Sequence, residues 1–207
     1  LVGAAIANMT EAYRKHCYRS GRESDLDFLA RYTFPQGIAG RCKELRDAFA
    51  SGEFAVVPLG ALWIQVEGKF AFGPALEVLD DYFHPRTMFR TKVDFAYHDG
   101  DSTLYVVDDK TGWGDPDELQ LKLYAYLTKL AYYTDPKNHM TRLERVCSVF
   151  NVIGGKKHVI EWPQNEINDM REIILDRIKL VNSLQDWPPT ACRQCRFCTI
   201  PGCPIRE

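Results

Sequence analysis

Two β-prone runs and the helix after them decide the fold of this chain: Lys-Val-Asp-Phe-Ala-Tyr-His (residues 92–98), Thr-Leu-Tyr-Val-Val-Asp-Asp-Lys (103–110) and Gln-Leu-Lys-Leu-Tyr-Ala (120–125). Asp99-Gly100 between the two runs is a strong turn signal, because glycine readily takes up the positive φ that tight turns need. The sequence therefore predicts an antiparallel hairpin followed by a helix.

The predicted hairpin brings three charged side chains together. Antiparallel pairing places Asp94 roughly opposite Asp108. The two-residue period of a strand puts Asp108 and Lys110 on one face, while Asp109 points to the other. Close carboxylates repel each other unless a cation lies between them, so the pattern indicates a divalent metal site. Oxygen ligands without a histidine or thiolate favour Mg²⁺ or Mn²⁺ over zinc. The simpler alternative is a set of solvent-facing hairpin charges.

A helix is predicted from Asp117 to Tyr133, with Asp115 as its N-cap and Pro116 as its first residue. The expected apolar stripe consists of Leu119, Leu123, Leu127 and Leu130 or Ala131. Gln120 and Tyr124 are four residues apart and share a neighbouring face. Because the helix starts just after the second strand, we expect this face to reach the same cleft.

Three motifs in this region, taken in their order and spacing, resemble the PD-(D/E)XK nuclease superfamily: Val-Asp-Phe (93–95), Val-Val-Asp-Asp-Lys-Thr-Gly (106–112) and Gln-Leu-Lys-Leu-Tyr-Ala (120–125). Within it, the chain looks most like the RecB-like branch, which includes nuclease domains of helicase–nucleases and CRISPR-adaptation nucleases. The resemblance implies an α/β, restriction-endonuclease-like core, in which helices flank a central mixed β-sheet and the metal site lies at the edge of the sheet.

The resemblance also implies a role for each motif residue. The positions of Asp94 and Asp108 bind Mg²⁺ or Mn²⁺, Lys110 helps to position and activate the attacking water, and the remaining two, Gln120 and Tyr124, line the same site. A metal held by two carboxylates lowers the pKa of bound water and neutralises charge that builds up on a phosphate. The residues themselves leave two roles open for Lys110, which are orientation of the water and contact with the phosphate.

The implied activity is hydrolysis of DNA phosphodiester bonds. Exonuclease action on single-stranded DNA or duplex ends is favoured over endonuclease action, and a helicase or a recombination or adaptation protein is the expected partner. Repair, recombination, phage replication and CRISPR adaptation all use such nucleases, and a fold does not decide among them.

The first predicted helix departs from the family pattern at one position. The segment from Gly3 to Tyr13 resembles the opening motif, in which a histidine follows the glycine by four residues, but Ala7 stands there instead. That histidine commonly joins the metal site, and His16 lies too far along the helix to replace it. Ala7 leaves open a tolerated variant, an inactivating substitution and a weakened enzyme. The alternative function is therefore an inactive nuclease-fold subunit that binds DNA or assembles with partners.

Two glutamates are further candidate acids for this site. Glu67 falls within a strand predicted from Leu62 to Phe72, and Glu77 follows that strand. Most glutamates on strands face solvent, so a solvent-facing role is the simpler expectation for both.

The end of the chain carries a second chemical signal, because four of its seven cysteines are Cys192, Cys195, Cys198 and Cys203. So dense a cluster, without a secretion signal, indicates thiolate ligation of zinc or an iron–sulfur cluster rather than a disulfide framework. In the RecB-like branch, the triplet matching Cys195, Cys198 and Cys203 binds a [4Fe–4S] cluster with one upstream cysteine. The resemblance thus favours [4Fe–4S], with Zn²⁺ as the alternative. The fourth ligand stays open among Cys192, Cys17, Cys42 and a residue before Leu1.

Length and composition fit one domain. The chain has 207 residues, of which 45% are hydrophobic and 26% charged, as is ordinary for globular proteins. We expect a nuclease core over residues 1–186 and a cysteine-rich tail over 187–207 that packs on it. No run has transmembrane length and no signal-peptide pattern is present, which predicts a cytoplasmic protein without a membrane partner. A net charge of −2 requires any DNA-binding surface to be locally basic.

Overall fold

The computed structural model describes residues 1–112, 114–138 and 142–183. The helices are α1 (Val2–Ser20), α2 (Leu26–Arg31), α3 (Ala39–Ala50), α4 (Glu118–Thr134) and α5 (Gln164–Ser183). The strands are β1 (Trp63–Phe72), β2 (Val78–Leu79), β3 (Phe89–His98), β4 (Thr103–Lys110), β5 (Arg145–Val152) and β6 (Lys157–Trp162). The cysteine-rich tail, with its predicted cluster or zinc site, lies outside the described residues.

The strands form one mixed sheet in the order β2-β1-β3-β4-β5-β6. Strands β4 and β5 run parallel, and the other neighbouring pairs run antiparallel. A parallel pair needs a crossover connection, which α4 provides here. The predicted α/β fold with helices around a mixed sheet is confirmed, whereas a restriction-endonuclease-like core remains a prediction.

The predicted hairpin forms as β3 and β4. Its turn contains Gly100 with φ of 90°, a backbone conformation that glycine adopts without steric cost. The register pairs His98 with Leu104 and, at the other end, Phe95 with Val107. The next position along this register contains Asp94 and Asp108, so the two carboxylates stand opposite each other as predicted.

Apolar cores lie on both faces of the sheet. Helices α4 and α5 cover one face, where Leu121, Tyr132 and Ile167 belong to the larger buried cluster. A buried hydroxyl joins this layer to the sheet, because Ser148 of β5 donates to the Leu121 carbonyl at 2.9 Å and accepts from the indole N–H of Trp162 at 2.8 Å. Helices α1, α2 and α3 form a second apolar cluster, which includes the buried residues Ile6, Met9, Tyr13 and Phe49.

The longest helices each bury one side. Helix α1 has 19 residues and buries Ile6, Met9 and Tyr13 at helical spacing. Helix α5 has 20 residues and buries Ile167 and Met170 near its start. Within the described ranges, none of the helices combines the length and apolar character that a bilayer crossing requires.

Helix α4 differs from its prediction at its start and along its buried face. The N-cap is Asp117, whose side chain accepts from the Gln120 N–H at 3.1 Å, and the assignment to Asp115 was wrong. Leu119 is 63% exposed, so its place in the apolar stripe was also wrong. The buried residues of the helix are Leu121, Ala125, Tyr126, Leu127, Thr128, Ala131 and Tyr132. Contact with the sheet, which periodicity alone does not specify, selects this face.

Two leucines of α4 test this assignment. Leu121→Ala removes a side chain that is 2% exposed, and we expect it to lower the free energy of unfolding by about 2–5 kcal/mol, because it leaves a cavity in the core. Leu119→Ala is the matched control and is expected to change stability by less than about 0.5 kcal/mol. Urea denaturation of both variants measures the difference, and equal losses would contradict the assigned face.

Candidate functional site

A cavity of about 280 Å³ opens where the ends of β3 and β4 meet α1 and α4. Its wall contains Asp94, Asp108, Lys110 and Tyr124, and Ala7 of α1 lines it as well. Gln120 does not line the cavity but donates to the hydroxyl of Tyr124 at 2.9 Å. The structure thus places the predicted catalytic residues in and beside one cavity.

Asp108 and Lys110 form a pair on one face of β4, as the strand period predicts. The ammonium of Lys110 donates to Asp108 Oδ1 at 2.8 Å. Burial raises the pKa of Asp108, although Lys110 opposes this effect. Burial alone would lower the pKa of Lys110, but the hydrogen bond to Asp108 and the nearby negative charges outweigh it and raise that pKa. Lys110 therefore keeps its charge throughout the neutral range.

Asp94 is the least compensated acid of the site. Its Oδ2 accepts from the backbone N–H of Asp109 at 2.9 Å. Burial raises the pKa of Asp94 to about 6, and the charges of Asp109, Asp108 and Glu67 add to the effect. The one neutral N–H donor offsets only part of the desolvation and charge repulsion. Without a further cation, the ionised carboxylate therefore destabilises the fold.

Asp109, next to Asp108 on β4, also lines the cavity and connects it to α1 and β5. Its Oδ2 accepts from Arg14 of α1 at 2.6 Å, and its Oδ1 accepts from the side-chain amide of Asn151 of β5 at 2.7 Å. The Arg14 side chain is 1% exposed, and its guanidinium lies over the rings of Phe49 and Phe95, 5.4 and 4.6 Å from their centroids. Asp109 therefore holds α1 through its side chain and Asp94 through its backbone N–H.

Of the two candidate glutamates, the structure brings Glu67 to the site and Glu77 elsewhere. Glu67 is buried, lies opposite Asp94 in the strand register and pairs with Lys92. Neither glutamate lines the cavity, and Glu77 instead accepts from Arg86 at 2.6 Å. Lys92 does line it, and sequence reasoning missed it as a site residue. Its position two residues before Asp94 on the same strand was the signal that could have found it.

The first helix presents a methyl group where the family pattern has an imidazole. Ala7 lines the cavity with its side chain. His16, two turns further, contacts Asp25 Oδ2 at 2.9 Å and stacks on Phe28 with ring centroids 4.4 Å apart. His16 therefore serves the α1–α2 packing and does not line the cavity.

The donor set fits a hard divalent cation. Asp108, Asp109 and Glu67 each pair with a cationic side chain, whereas Asp94 has only a backbone N–H as its partner among the described residues. No group of three or more His, Cys, Asp or Glu side chains suited to a metal is found within those residues. Mg²⁺ nevertheless binds through one or two carboxylates, because it retains several waters and takes up phosphate oxygens of the substrate.

The described cysteines are packing residues. Cys17 and Cys42 are fully buried in the core formed by α1, α2 and α3, and burial raises the pKa of the Cys17 thiol. Cys147 of β5 is also buried, which raises the pKa of its thiol to about 11. Neither Cys17 nor Cys42 presents an accessible thiol in this arrangement.

Comparison with known proteins adds no relative. No family model matches the chain, and a search of curated proteins finds no significant match. The function must therefore be argued from the geometry and the motifs of this chain.

The buried pair of Arg14 and Asp109 makes a prediction about stability. Arg14→Met leaves the Asp109 carboxylate buried without its cation, and we expect the free energy of unfolding to fall by about 3–5 kcal/mol. The control is Arg41→Met, which breaks an exposed pair with Glu44 and should change stability by less than about 1 kcal/mol. Chemical denaturation at pH 7 measures both, and a small loss for Arg14→Met would show that the pair does not hold α1 in place.

Asp94 makes a prediction about pH. Folding raises its pKa from 3.8 to about 6, so the ionised carboxylate destabilises the folded state fully above pH 6, and this cost disappears as the pH falls towards 3.8. Asp94→Asn keeps the acceptor for the Asp109 N–H without the charge. In EDTA, we expect it to raise the free energy of unfolding by roughly 3 kcal/mol at pH 8, with the gain shrinking between pH 6 and 4.

The control for this measurement is Asp101→Asn, which removes an exposed carboxylate from the β3–β4 turn. Denaturant titrations of both variants and the parent protein across pH 4–8 give the comparison. A gain at Asp94 that stayed constant over this range would show that the carboxylate is not strained.

Proposed function

We propose that this chain is a metal-dependent DNA nuclease of the PD-(D/E)XK type, in the RecB-like branch, which hydrolyses phosphodiester bonds. The observation that carries the proposal is the charge balance of the cavity. Asp94 is partly buried beside Asp108 with its pKa raised to about 6, and its partner among the described residues is an uncharged N–H. The site therefore has one carboxylate without a cation, Asp94, and a lysine, Lys110, that is held by Asp108. This arrangement suits metal-assisted phosphate chemistry.

Asp94 and Asp108 are the residues that would hold Mg²⁺ or Mn²⁺. Their oxygen atoms are the hard ligands that these ions prefer. When bound, the metal supplies a water of lowered pKa and neutralises charge on the phosphate.

In the proposed hydrolysis, a water oxygen bonds to the phosphorus and gives up a proton, the bond from phosphorus to the leaving sugar oxygen breaks, and the leaving oxygen takes up a proton. Lys110 remains protonated because Asp108 accepts from its ammonium at 2.8 Å. It can orient the water or contact a phosphate oxygen, and either role requires its charge at this position. The hydrogen bond from Gln120 fixes the Tyr124 hydroxyl at the cavity wall.

The substrate and partners follow from the resemblance. We propose single-stranded DNA or duplex ends as the substrate, exonucleolytic cleavage, and a helicase or a recombination or adaptation protein as the partner. For the tail, we propose a [4Fe–4S] cluster on Cys195, Cys198, Cys203 and a fourth thiolate, with zinc as the alternative. Metal ligation of this kind stabilises the fold and would fasten the tail to the core.

Ala7 favours a second candidate function, a nuclease-fold subunit that binds DNA without cleaving it. Its methyl group lines the cavity at a position where the family has a metal ligand. The retained set of Asp94, Asp108 and Lys110 argues for activity, because a binding subunit has no need to keep buried acids that destabilise its fold.

Cleavage of end-labelled single- and double-stranded DNA in Mg²⁺ or Mn²⁺ tests the proposed function. We expect Asp108→Ala and Lys110→Ala each to lower the rate at least about 100-fold, because each removes a charged group from the reacting phosphate or its metal. Asp101→Ala is the control and should cleave at the parental rate. Activity that survives both site substitutions would place the chemistry elsewhere or in a contaminant.

Ala7→His separates the two candidate functions, because it restores an imidazole to the cavity wall. Faster cleavage by this variant, or a lower metal concentration for half-maximal rate, supports a weakened enzyme. Parental protein and Ala7→His that both bind DNA without cleaving it would instead support the binding subunit.

A further inference from the structure

Lys92 is the second lysine of the cavity that contains Asp94, Asp108 and Lys110. It lies on β3 two residues before Asp94, on the same face of the strand, and its side chain lines the cavity wall. Its ammonium forms an ion pair with Glu67 of β1. The Lys92 side chain is 48% exposed, whereas that of Glu67 is 5% exposed. A buried carboxylate therefore holds a lysine that is still open to a ligand entering the cavity.

The backbone around Glu67 is arranged for this contact. Glu67 has φ of 54°, which is uncommon for a residue with a side chain. It sits between the register pairs Val66 with Phe95 and Gly68 with Val93, and hence opposite Asp94. A Cβ on Gly68 would lie 3.0 Å from the Phe70 side chain and 3.1 Å from that of Val93, so a larger residue there would require these side chains to shift. Such backbone conformations persist where the surroundings enforce them and are concentrated at functional sites.

The charges of the cavity indicate what Lys92 can do. Asp108 pairs with Lys110, and Glu67 pairs with Lys92. Two ammonium groups on neighbouring strands therefore flank the carboxylates of Asp94 and Asp108. Each ammonium has three N–H donors, and its carboxylate partner does not occupy all three. The unused donors of a half-exposed lysine can bind a phosphate oxygen as soon as DNA enters.

We propose that Lys92 contacts a non-bridging oxygen of the phosphate that is cleaved, and that Glu67 is the positioning residue that holds it there. The proposal rests on the proposed nuclease function and adds a second catalytic lysine to it. Negative charge grows on the non-bridging oxygens as the water attacks, and an ammonium already in place stabilises that charge without rearrangement. Lys92 supplies this charge at a cavity where Ala7 provides no ligand.

The test compares Lys92→Ala with Lys69→Ala. Lys69 is a matched control, because it is an exposed lysine directly across from Lys92 in the β1–β3 register but does not line the cavity. The substrate is an end-labelled single-stranded oligonucleotide in Mg²⁺ under single-turnover conditions. We expect Lys92→Ala to lower the cleavage rate roughly 10- to 100-fold, Lys92→Arg to recover part of the loss, and Lys69→Ala to cleave at the parental rate.

A second readout separates phosphate contact from a structural role. A phosphorothioate at the scissile position replaces one non-bridging oxygen with sulfur, in either the Rp or the Sp isomer. If Lys92 binds one of these oxygens, one isomer slows the parent protein strongly and slows Lys92→Ala much less. Glu67→Gln should retain the fold and show a reduced sensitivity to the same isomer. An isomer effect that is identical in the parent and Lys92→Ala would overturn the contact.

The affinity of the same oligonucleotide in Ca²⁺, measured by fluorescence anisotropy, distinguishes failure of this proposal from failure of the nuclease function. A parent protein that cleaves, with Lys92→Ala equal to Lys69→Ala in both rate and affinity, overturns the role of Lys92 and leaves the nuclease function standing. A parent that binds but does not cleave overturns the hydrolysis, and weaker binding by Lys92→Ala alone then supports the phosphate contact. A parent that neither binds nor cleaves overturns both.

Discussion

The arrangement of the site depends on the buried ion pair between Arg14 and Asp109, which joins α1 to β4 at 2.6 Å. A buried charge without a partner costs several kcal/mol, so α1 cannot slide along the sheet without breaking this contact. Ala7 precedes Arg14 by seven residues and therefore faces the same side of the helix. The pair thus holds α1 where its residues border the cavity, while the Asp109 N–H holds Asp94 of β3.

The acids of this region are balanced one by one, with a single exception. Arg14 neutralises Asp109, Lys110 neutralises Asp108, and Lys92 neutralises Glu67. Asp94 lies close to these three acids. Its desolvation and their negative charges raise its pKa to about 6. Structural ion-pair networks tend to be complete, because an unmatched buried charge lowers stability. One carboxylate without a cation at a cavity wall is the feature that supports the proposed metal site.

Local rules were sufficient for the hairpin and its charges. The Asp-Gly turn, the two-residue period and the antiparallel register together place Asp94 against Asp108 and Lys110 beside it, as the structure shows. They failed where distant segments decide the outcome. Arg14 and Asp109 are 95 residues apart in the chain, and no short-range pattern pairs them. The buried face of α4 is chosen by contact with the sheet, which exposes Leu119, and the left-handed backbone at Glu67 has no signature in a strand-like sequence.

The identities of residues 7 and 92 have different chemical consequences and should not be treated as compensating changes. A histidine at position 7 would add a neutral ligand, which strengthens metal binding without changing the charge of the cavity. Lys92 adds a positive charge without adding a ligand, which favours the phosphate but competes with a metal for the nearby carboxylates. Because Glu67 already engages the Lys92 ammonium, that ammonium competes mainly for Glu67 and leaves Asp94 to the proposed ion.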